Sequence, residues 1–404
     1  MINRKILYVF LLALFLRICF ILTLDNSVDV WGDWWDELGW KIASGKGYWV
    51  NNPYFPDGTK FYAWRSPGFP FFLAFIYKIF GHNYLAAKIG LAFLSSLTCI
   101  LLYFIAKILV DGKTAFLSAL IYSIYPASIF WTGYLAPETI IAFLLILSIF
   151  FLTKWDIENK RNLYLIFGNL IFGYLCITRP TFIILIPFII LTIFIKNKKN
   201  FLKELPLVVI SFLIFSILWG IRNYKVLNHF IITSTEGGIV FFIANNEYSL
   251  SSPSGFYHAE NIEEFKNLSE VEIDKILYKK TFEFIKKKPK LYIKLILNRF
   301  VRYWKFYPST ISGPGESYKK SHQIISFLSE TPIIILGFLG IIKSFKYYHQ
   351  WLLLYLPVFL YSGVSILIRT TIRYRFPIMG FLIIFAIYYL KDTKYGRKYF
   401  RQSG

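Results

Sequence analysis

Long apolar stretches dominate this sequence, and they restrict its fold more than any other feature does. A helix that crosses a bilayer needs about 20 predominantly apolar residues, and ten stretches reach or approach that length. Because the bilayer interior offers no hydrogen-bond partner to an open loop or a strand edge, we expect each stretch to be helical. The sequence predicts an all-α polytopic membrane protein with about 10 transmembrane helices, at residues 6–24, 84–110, 115–134, 136–153, 163–178, 180–195, 205–221, 324–343, 351–368 and 376–391.

Composition supports this class of protein. Of the 404 residues, 56% are hydrophobic and 17% are charged, whereas about 25% are charged in a typical soluble domain. The three cysteines lie inside apolar stretches, which excludes a disulfide-stapled secreted scaffold. One more apolar stretch, Phe69 to Phe80, is too short to span and carries Lys78, so we expect it to form an interfacial helix.

The basic residues predict how the chain is oriented in a cell membrane. There are 45 Lys and Arg against 23 Asp and Glu, a formal net charge of +22. Many of them sit in short loops between apolar stretches, and such loops stay on the cytoplasmic side. We therefore interpret the excess as topology and not as a sign of nucleic-acid binding. Ten spans then place both termini in the cytoplasm and residues 25–83 and 223–323 on the extracytoplasmic side.

We expect three parts. Residues 1–221 would form an N-terminal transmembrane catalytic module with outer loop 25–83, residues 222–323 an outer mixed region with amphipathic helices, and residues 324–404 C-terminal transmembrane helices with a basic cytoplasmic tail. Ser269 and Glu272 have the spacing of a capping box, and Pro289 should separate the helix they open from a second one that runs to about Phe306. The lysines of these helices should lie near membrane lipids.

Charged residues gather at the ends of the predicted spans, on the extracytoplasmic side. A charge within the bilayer costs a few kcal/mol, so such residues mark candidate functional sites. Arginine forks bind phosphate oxygens, and a carboxylate can take the proton of an acceptor hydroxyl. The candidates are the acids Asp36, Glu37 and Glu138 and the arginines Arg65, Arg179, Arg373 and Arg375.

Five of the candidates also have a structural alternative. Asp36 and Glu37 are suited to an N-cap and first turn of a helix, and Glu138 to the first turn after Pro137. Arg65 could anchor at head groups and Arg179 could cap the carbonyls of the preceding helix. Arg17, inside the first span, is expected to snorkel or to pair with an acid.

Sequence motifs for other chemistries are missing. The five histidines show no metal-ligand spacing, and there is no Cys/His zinc motif. There is also no phosphate-binding loop and no GxGxxG fingerprint. No nucleotide cofactor is expected, while a divalent metal stays an open alternative.

Several motifs together resemble a known family. In the first outer loop they are Asp36-Glu37, Gly45-Lys46-Gly47-Tyr48 and Arg65-Ser-Pro-Gly-Phe-Pro. Later in the chain they are Leu135-Ala-Pro-Glu138, Thr178-Arg179-Pro180, Trp219-Gly-Ile-Arg222-Asn223-Tyr224, Ser234-Thr-Glu-Gly237-Gly238 with Asn245-Asn246, and Arg373-Tyr-Arg375-Phe-Pro377. The set resembles the family 39-like membrane glycosyltransferases of superfamily C, which are similar to the dolichyl-phosphate-mannose-protein mannosyltransferases and the lipid A aminoarabinose transferase.

The resemblance implies transfer of a sugar from a polyprenyl-phosphate-linked donor to a protein, lipid or glycan acceptor outside the cytoplasmic membrane. Asp36 would be the catalytic acid/base and Glu138 a second acid of the site, while Arg65 and Arg179 would hold the donor phosphate. Trp64 stands where some relatives have an acid, which leaves a metal site in doubt, and relatives often have more than ten spans. A transporter or flippase for a lipid-linked or anionic solute is the main alternative, and a non-catalytic membrane scaffold is a third.

Overall fold

The structure is a computed structural model that describes residues 4–24, 34–54, 58–158, 162–250, 263–308 and 319–391. The tail after Lys391, which is predicted to be cytoplasmic, lies outside these residues. Helices account for nearly all of the regular structure. They are α1 Arg4–Leu22, α2 Trp35–Ala43, α3 Gly68–Phe80, α4 Tyr84–Leu109, α5 Gly112–Ile124, α6 Pro126–Phe130, α7 Glu138–Ile157, α8 Asn162–Thr178, α9 Ile186–Lys196, α10 Phe201–Leu227, α11 Gly237–Ala244, α12 Glu270–Lys287, α13 Pro289–Trp304, α14 Lys320–Ser344, α15 Tyr348–Leu356, α16 Ser362–Ile368 and α17 Met379–Lys391.

Short irregular helical turns connect several of these helices, at Trp131–Gly133, Pro180–Leu185, Glu247–Leu250, Glu263–Phe265, Phe345–Tyr347, Pro357–Tyr361 and Ile372–Ile378. The described sheet structure is one antiparallel pair of two-residue strands, β1 Val50–Asn51 and β2 Lys60–Phe61. The prediction of an all-α polytopic membrane fold is therefore confirmed.

Helix length alone gives fewer spans than the sequence predicts. Among the described residues, six helical segments are long and apolar enough to cross a membrane, or seven if the bent pair of α5 and the Pro126–Gly133 segment counts as one. The prediction of ten also counts α8 and the Pro180–Lys196 segment, which are shorter, and it divides the 49-residue segment Lys320–Ile368 into two. The number ten stays a prediction.

The segment Lys320–Ile368 folds back on itself at the Phe345–Tyr347 turn, as contacts of both sides of the turn with α17 show. Lys343, near the end of α14, donates a hydrogen bond to the carbonyl of Tyr388 at 2.7 Å. The ring of Trp351, near the start of α15, lies 4.9 Å from the ring of the same tyrosine. Because both sides of the Phe345–Tyr347 turn contact the end of α17, the chain reverses direction there.

Charged contacts mark one end of the helix bundle, which we call the basic end. Lys196 at the end of α9 pairs with Asp156 on α7, and Lys391 at the end of α17 pairs with Asp111 before α5, with 2.7 Å between the nitrogen and the oxygen. The opposite end, where α7 begins and α8 ends, we call the site end.

A bend of 55° separates α5 from the α6 segment, and Arg17 of α1 is fully buried beside it. The Arg17 guanidinium donates to the carbonyl of Ser123 at 2.9 Å and to the hydroxyls of Ser95 and Ser128 at 2.8 Å. The expectation that Arg17 snorkels or pairs with an acid is wrong. Pro126 leaves carbonyls of α5 without helical partners, and the arginine satisfies them instead.

The two predicted outer regions pack against each other at the site end. Glu270 at the start of α12 accepts hydrogen bonds from the backbone N–H of Tyr62 at 2.6 Å, the N–H of Ala63 at 3.1 Å and the hydroxyl of Thr235 at 2.6 Å. Ser269 and Glu272 form the predicted capping box, and Pro289 begins α13 as expected. Apolar side chains from both regions share a small core with Trp219 of α10. The residues of the two regions in this core are Leu38, Tyr48, Val50, Tyr54, Phe61, Trp64, Phe265, Ile273 and Leu277.

Candidate active site

Glu138 is the centre of a buried charged cluster at the site end. It is the first residue of α7, after Pro137, and its side chain is 1% exposed. Its Oε1 accepts a hydrogen bond from Arg179 at 3.1 Å and lies 3.4 Å from Nε of Arg373. A carboxylate is favoured at a helix N-terminus. Two arginines from separate parts of the chain thus converge on one oxygen of Glu138.

The two arginines of this cluster share an aromatic support. The guanidinium of Arg179 lies 4.6 Å from the ring centre of Tyr374, and that of Arg373 lies 5.6 Å from it. Arg179 is held at the end of α8 by the extended backbone that Pro180 favours in the residue before it. With one carboxylate for two guanidinium groups, the cluster has a net positive charge.

Two buried polar atoms of this cluster are available to bind a ligand. Oε2 of Glu138 and Nε of Arg179 are buried and have no hydrogen-bond partner in the part of the chain that the structure describes. Buried polar atoms are normally paired with protein, water or a ligand. The arrangement is therefore suited to binding a small anion together with a group that donates to the carboxylate.

An apolar cavity of about 270 Å³ reaches this cluster from the side. Arg373, Arg375 and Glu330 are the charged residues in its wall, and the rest of the lining is mainly apolar and aromatic. Besides these three, the lining consists of Phe20, Tyr125, Pro126, Ala127, Ile129, Phe130, Trp131, Pro308, His322, Ile325, Ser326, Ser329, Ile372, Phe376 and Met379. A molecule with a long apolar part and an anionic head could place its head at Arg373.

Arg375 is bound mainly by the protein itself. Its guanidinium pairs with Glu330 and donates to the carbonyl of Lys305 at 2.9 Å, while the hydroxyl of Tyr125 donates to Glu330 at 3.0 Å. This residue forms part of the cavity wall, but fewer of its donors are available than those of Arg179.

Arg65 lies in a separate group. It pairs with Glu236 and stacks over the rings of Trp34 and Trp35 at 5.5 and 5.6 Å. The loop that carries it is fixed next to the Arg179 turn, because Gly68 packs so closely on Thr178 that an added Cβ would lie 2.1 Å from the threonine hydroxyl. Arg65 and Arg179 therefore stand on adjoining segments with different acidic partners.

Asp36 forms a third group, with Tyr77 and His82. The Asp36 carboxylate accepts a hydrogen bond from the hydroxyl of Tyr77, and its oxygens lie 3.0 and 3.1 Å from Nε2 of His82. The imidazole stacks on Trp40 at 4.8 Å. The alternative that Asp36 is an N-cap is wrong, since Trp34 occupies that position with a φ of 58°.

Glu37 points away from Asp36, is 42% exposed and pairs with Lys41 one helical turn later. All the acids and arginines predicted from the sequence lie at the site end, but in several groups. Sequence reasoning missed Glu236, Glu330 and His82 as partners. Glu236 stood in a motif already noted, whereas nothing in the sequence pairs His82 with a residue 46 positions earlier.

The described residues contain no group of three or more His, Cys, Asp and Glu side chains that could hold a metal ion.

Part of the chain resembles a known protein family. Residues 64–219, less than half of the chain, match the family model described as dolichyl-phosphate-mannose-protein mannosyltransferase. That range includes Arg65, Glu138 and Arg179. No curated protein matches the sequence.

Two solved structures share the fold. ArnT from Cupriavidus metallidurans, bound to undecaprenyl phosphate, has 14% identity and a TM-score of 0.57, with 98% of this chain and 62% of that chain covered. The oligosaccharyltransferase AglB from Archaeoglobus fulgidus, in complex with an inhibitory peptide and a dolichol-phosphate, has 14% identity and a TM-score of 0.55, with 96% and 50% covered. The chain thus spans half to three-fifths of the length of these proteins. The expected resemblance to the dolichyl-phosphate-mannose-protein mannosyltransferases is confirmed for residues 64–219, and the fold is similar to those of ArnT and the oligosaccharyltransferase.

Proposed function

We propose that this chain is a membrane glycosyltransferase that takes its sugar from a polyprenyl-phosphate-linked donor. The observation that carries the proposal is the apolar cavity that ends at Arg373, next to the Glu138 and Arg179 cluster. A polyprenyl chain would lie in the apolar part, and its phosphate would meet the arginines. The similar structures solved with undecaprenyl phosphate and dolichol-phosphate support a ligand of this kind.

The donor phosphate would be held by Arg179 and Arg373, with Arg65 and Arg375 as further positive groups around it. As the bond between sugar C1 and the phosphate oxygen breaks, its electron pair goes to that oxygen, and negative charge grows on the leaving lipid phosphate. Fixed guanidinium groups then stabilise the transition state more than the ground state.

The acceptor oxygen would form the new bond to C1 and lose its proton to a carboxylate. We propose that Asp36 is the carboxylate that accepts this proton, and that Glu37 and Glu138 are the other acids of the site. Glu138 would keep the two arginines oriented, since an ionised carboxylate fixes guanidinium groups through directed hydrogen bonds.

The site end would face outward in this proposal, because the described short loops rich in lysine lie at the basic end. The sugar would be a hexose or a pentose, and the acceptor a protein, lipid or glycan. The reaction needs no nucleotide, since the donor already carries an activated sugar.

The decisive experiment uses the purified chain in lipid nanodiscs with radiolabelled polyprenyl-phosphate sugars and a panel of protein, lipid and glycan acceptors. Release of free polyprenyl phosphate is measured for the wild type, Glu138→Gln and Arg373→Gln. We expect Arg373→Gln to lose about 100-fold or more of its turnover, the scale for losing a fixed charge at a transition state. Glu138→Gln should also lower turnover, because the two arginines lose the carboxylate that orients them. The control, Asp156→Asn, breaks a similar ion pair at the basic end and should keep its turnover.

The alternative, a transporter or flippase, predicts a different result. Such a protein would move labelled lipid between leaflets without cleaving the sugar bond. Translocation without cleavage across the tested donors would reject the proposal.

A further inference from the structure

Helix α13 is fixed to the bundle by one face. Arg299 donates to the carbonyl of Ile368 at 2.7 Å and to Oδ1 of Asn245 at 2.8 Å, and the hydroxyls of Tyr303 and Ser362 are 2.9 Å apart. These contacts hold the helix against the end of α16 and fix which of its faces points outward.

The outward face of α13 is apolar. Ile293, Leu297, Phe300 and Val301 are each more than 50% exposed, and their spacing of four, three and one residues places them on one side of the helix. We call these four residues the α13 stripe. Exposure of such a contiguous patch to water is unfavourable and marks a contact surface.

The neighbours of the α13 stripe belong to membrane-spanning segments. The hydroxyl of Tyr292 contacts the carbonyl of Leu367, itself an exposed apolar residue at the end of α16. At the other end of α13, the ring of Trp304 packs 4.8 Å from that of Phe338 in α14. The α13 stripe therefore lies beside two helices, α16 and α14, that belong to an apolar segment long enough to cross a membrane.

Lysines surround the N-terminal end of α13. Lys286, Lys287, Lys290 and Lys294, which we call the lysine cluster, are all exposed, and none forms an ion pair within the described chain. Like charges this close repel each other, and Lys290 lies in the first turn of α13, where the helix dipole disfavours a cation. An anionic surface at this position would remove both costs.

We propose that α13 lies partly immersed in the membrane leaflet at the site end, with the α13 stripe among acyl chains and the lysine cluster against anionic phospholipid head groups. Amphipathic helices with lysines beside an apolar face bind anionic bilayers in this way. The inference does not depend on the proposed enzymatic function.

The test uses the full chain with Cys19, Cys99 and Cys176 replaced by serine, labelled with an environment-sensitive fluorophore at Leu297→Cys. The protein is reconstituted in vesicles that contain the same fraction of spin-labelled phosphatidylglycerol or phosphatidylcholine as quencher. We expect quenching by both lipids, about threefold stronger with phosphatidylglycerol because several lysines attract it. A label at Lys275→Cys on α12 should stay unquenched.

Replacing the four lysines of the cluster by glutamine should bring the quenching ratio of the two lipids to about one. Replacing Lys198, Lys199 and Lys203 at the basic end should leave the ratio unchanged. Equally strong quenching by phosphatidylglycerol and phosphatidylcholine in the wild type would overturn the proposal. So would the absence of quenching at residue 297, the result expected if a protein partner covers the stripe.

Discussion

Asp36 is the residue for which catalytic and structural roles differ most sharply. Its carboxylate oxygens are bound by Tyr77 and His82, so it also ties α2 to the end of α3. Asp36→Asn is nearly isosteric and keeps an oxygen to accept from Tyr77. If Asp36 takes the acceptor proton, we expect turnover per folded molecule to fall by about 10²- to 10⁴-fold. Glu37→Gln should have a smaller effect, since Glu37 faces Lys41.

The variant Tyr77→Phe is the matched control for this prediction. It removes a hydrogen bond to Asp36 but leaves the carboxylate in place. A purely structural Asp36 would make both variants lose thermal stability while turnover per folded molecule stays near that of the wild type. That pattern would remove Asp36 from the mechanism.

At the level of single residues, the sequence could identify Glu138, Arg179 and Arg373 as candidates, because charges at span ends are rare and costly. It could not predict their pairing. The three are brought together by the packing of α7, α8 and the Ile372–Ile378 turn, which no local pattern encodes. The same reason explains why Asp36 pairs with His82 and not with the arginines.

Between elements, Asp274 on α12 connects that helix to the start of α11, where it accepts a hydrogen bond from the N–H of Gly238 at 2.6 Å. Burial, together with nearby Glu236 and Glu270, raises the pKa of Asp274 to about 6, although the Gly238 hydrogen bond opposes the shift. The folded chain therefore binds this proton more tightly than the unfolded chain does, so protonation of Asp274 stabilises the fold. The stabilisation is fully present below about pH 4 and is lost as the pH rises through about 6.

Asp274→Asn removes the charge and keeps an acceptor for Gly238. We expect this variant to be more stable than the wild type at pH 7.5, by on the order of 1 to 3 kcal/mol, and equally stable at pH 4. Hydrogen exchange at the amides of α11 measures the difference locally. A variant that is less stable than the wild type at pH 7.5 would contradict the assignment.

Glu272 is the matched control on the same helix. Hydrogen bonds with Ser269 in the capping box lower the pKa of Glu272. The ionised carboxylate therefore stabilises the folded chain at a pH above the ordinary pKa of glutamate, and this stabilisation is lost as the pH falls. Glu272→Gln should therefore change stability mainly at neutral pH and in the opposite direction.

Among the secondary structure elements, those with a local signal were predictable. Ser269 with Glu272 marked the start of α12, and Pro289 the start of α13. The break between α5 and α6 was not expected, because the apolar stretch continues through Tyr125 and Pro126. Its stability comes from Arg17 on another helix, which a linear pattern does not show.

The whole molecule has two ends of different character, and this leads to the last prediction, ten spans with the site end outside. Outer loop 25–83 and region 223–323 share one end through the contacts of Glu270, while Lys196 and Lys391 pair with acids at the other. Single cysteines at Lys60, Lys275, Lys198 and Lys346, in a background without native cysteines, are treated with an impermeant maleimide on intact cells. The first two should react, and the last two only after permeabilisation, because moving clustered lysines across a membrane is unfavourable. Reaction of the cysteine at position 198 in intact cells would show that the orientation is opposite to the predicted one. If the cysteines at positions 198 and 346 lay on different sides of the membrane, the count of ten spans would be wrong.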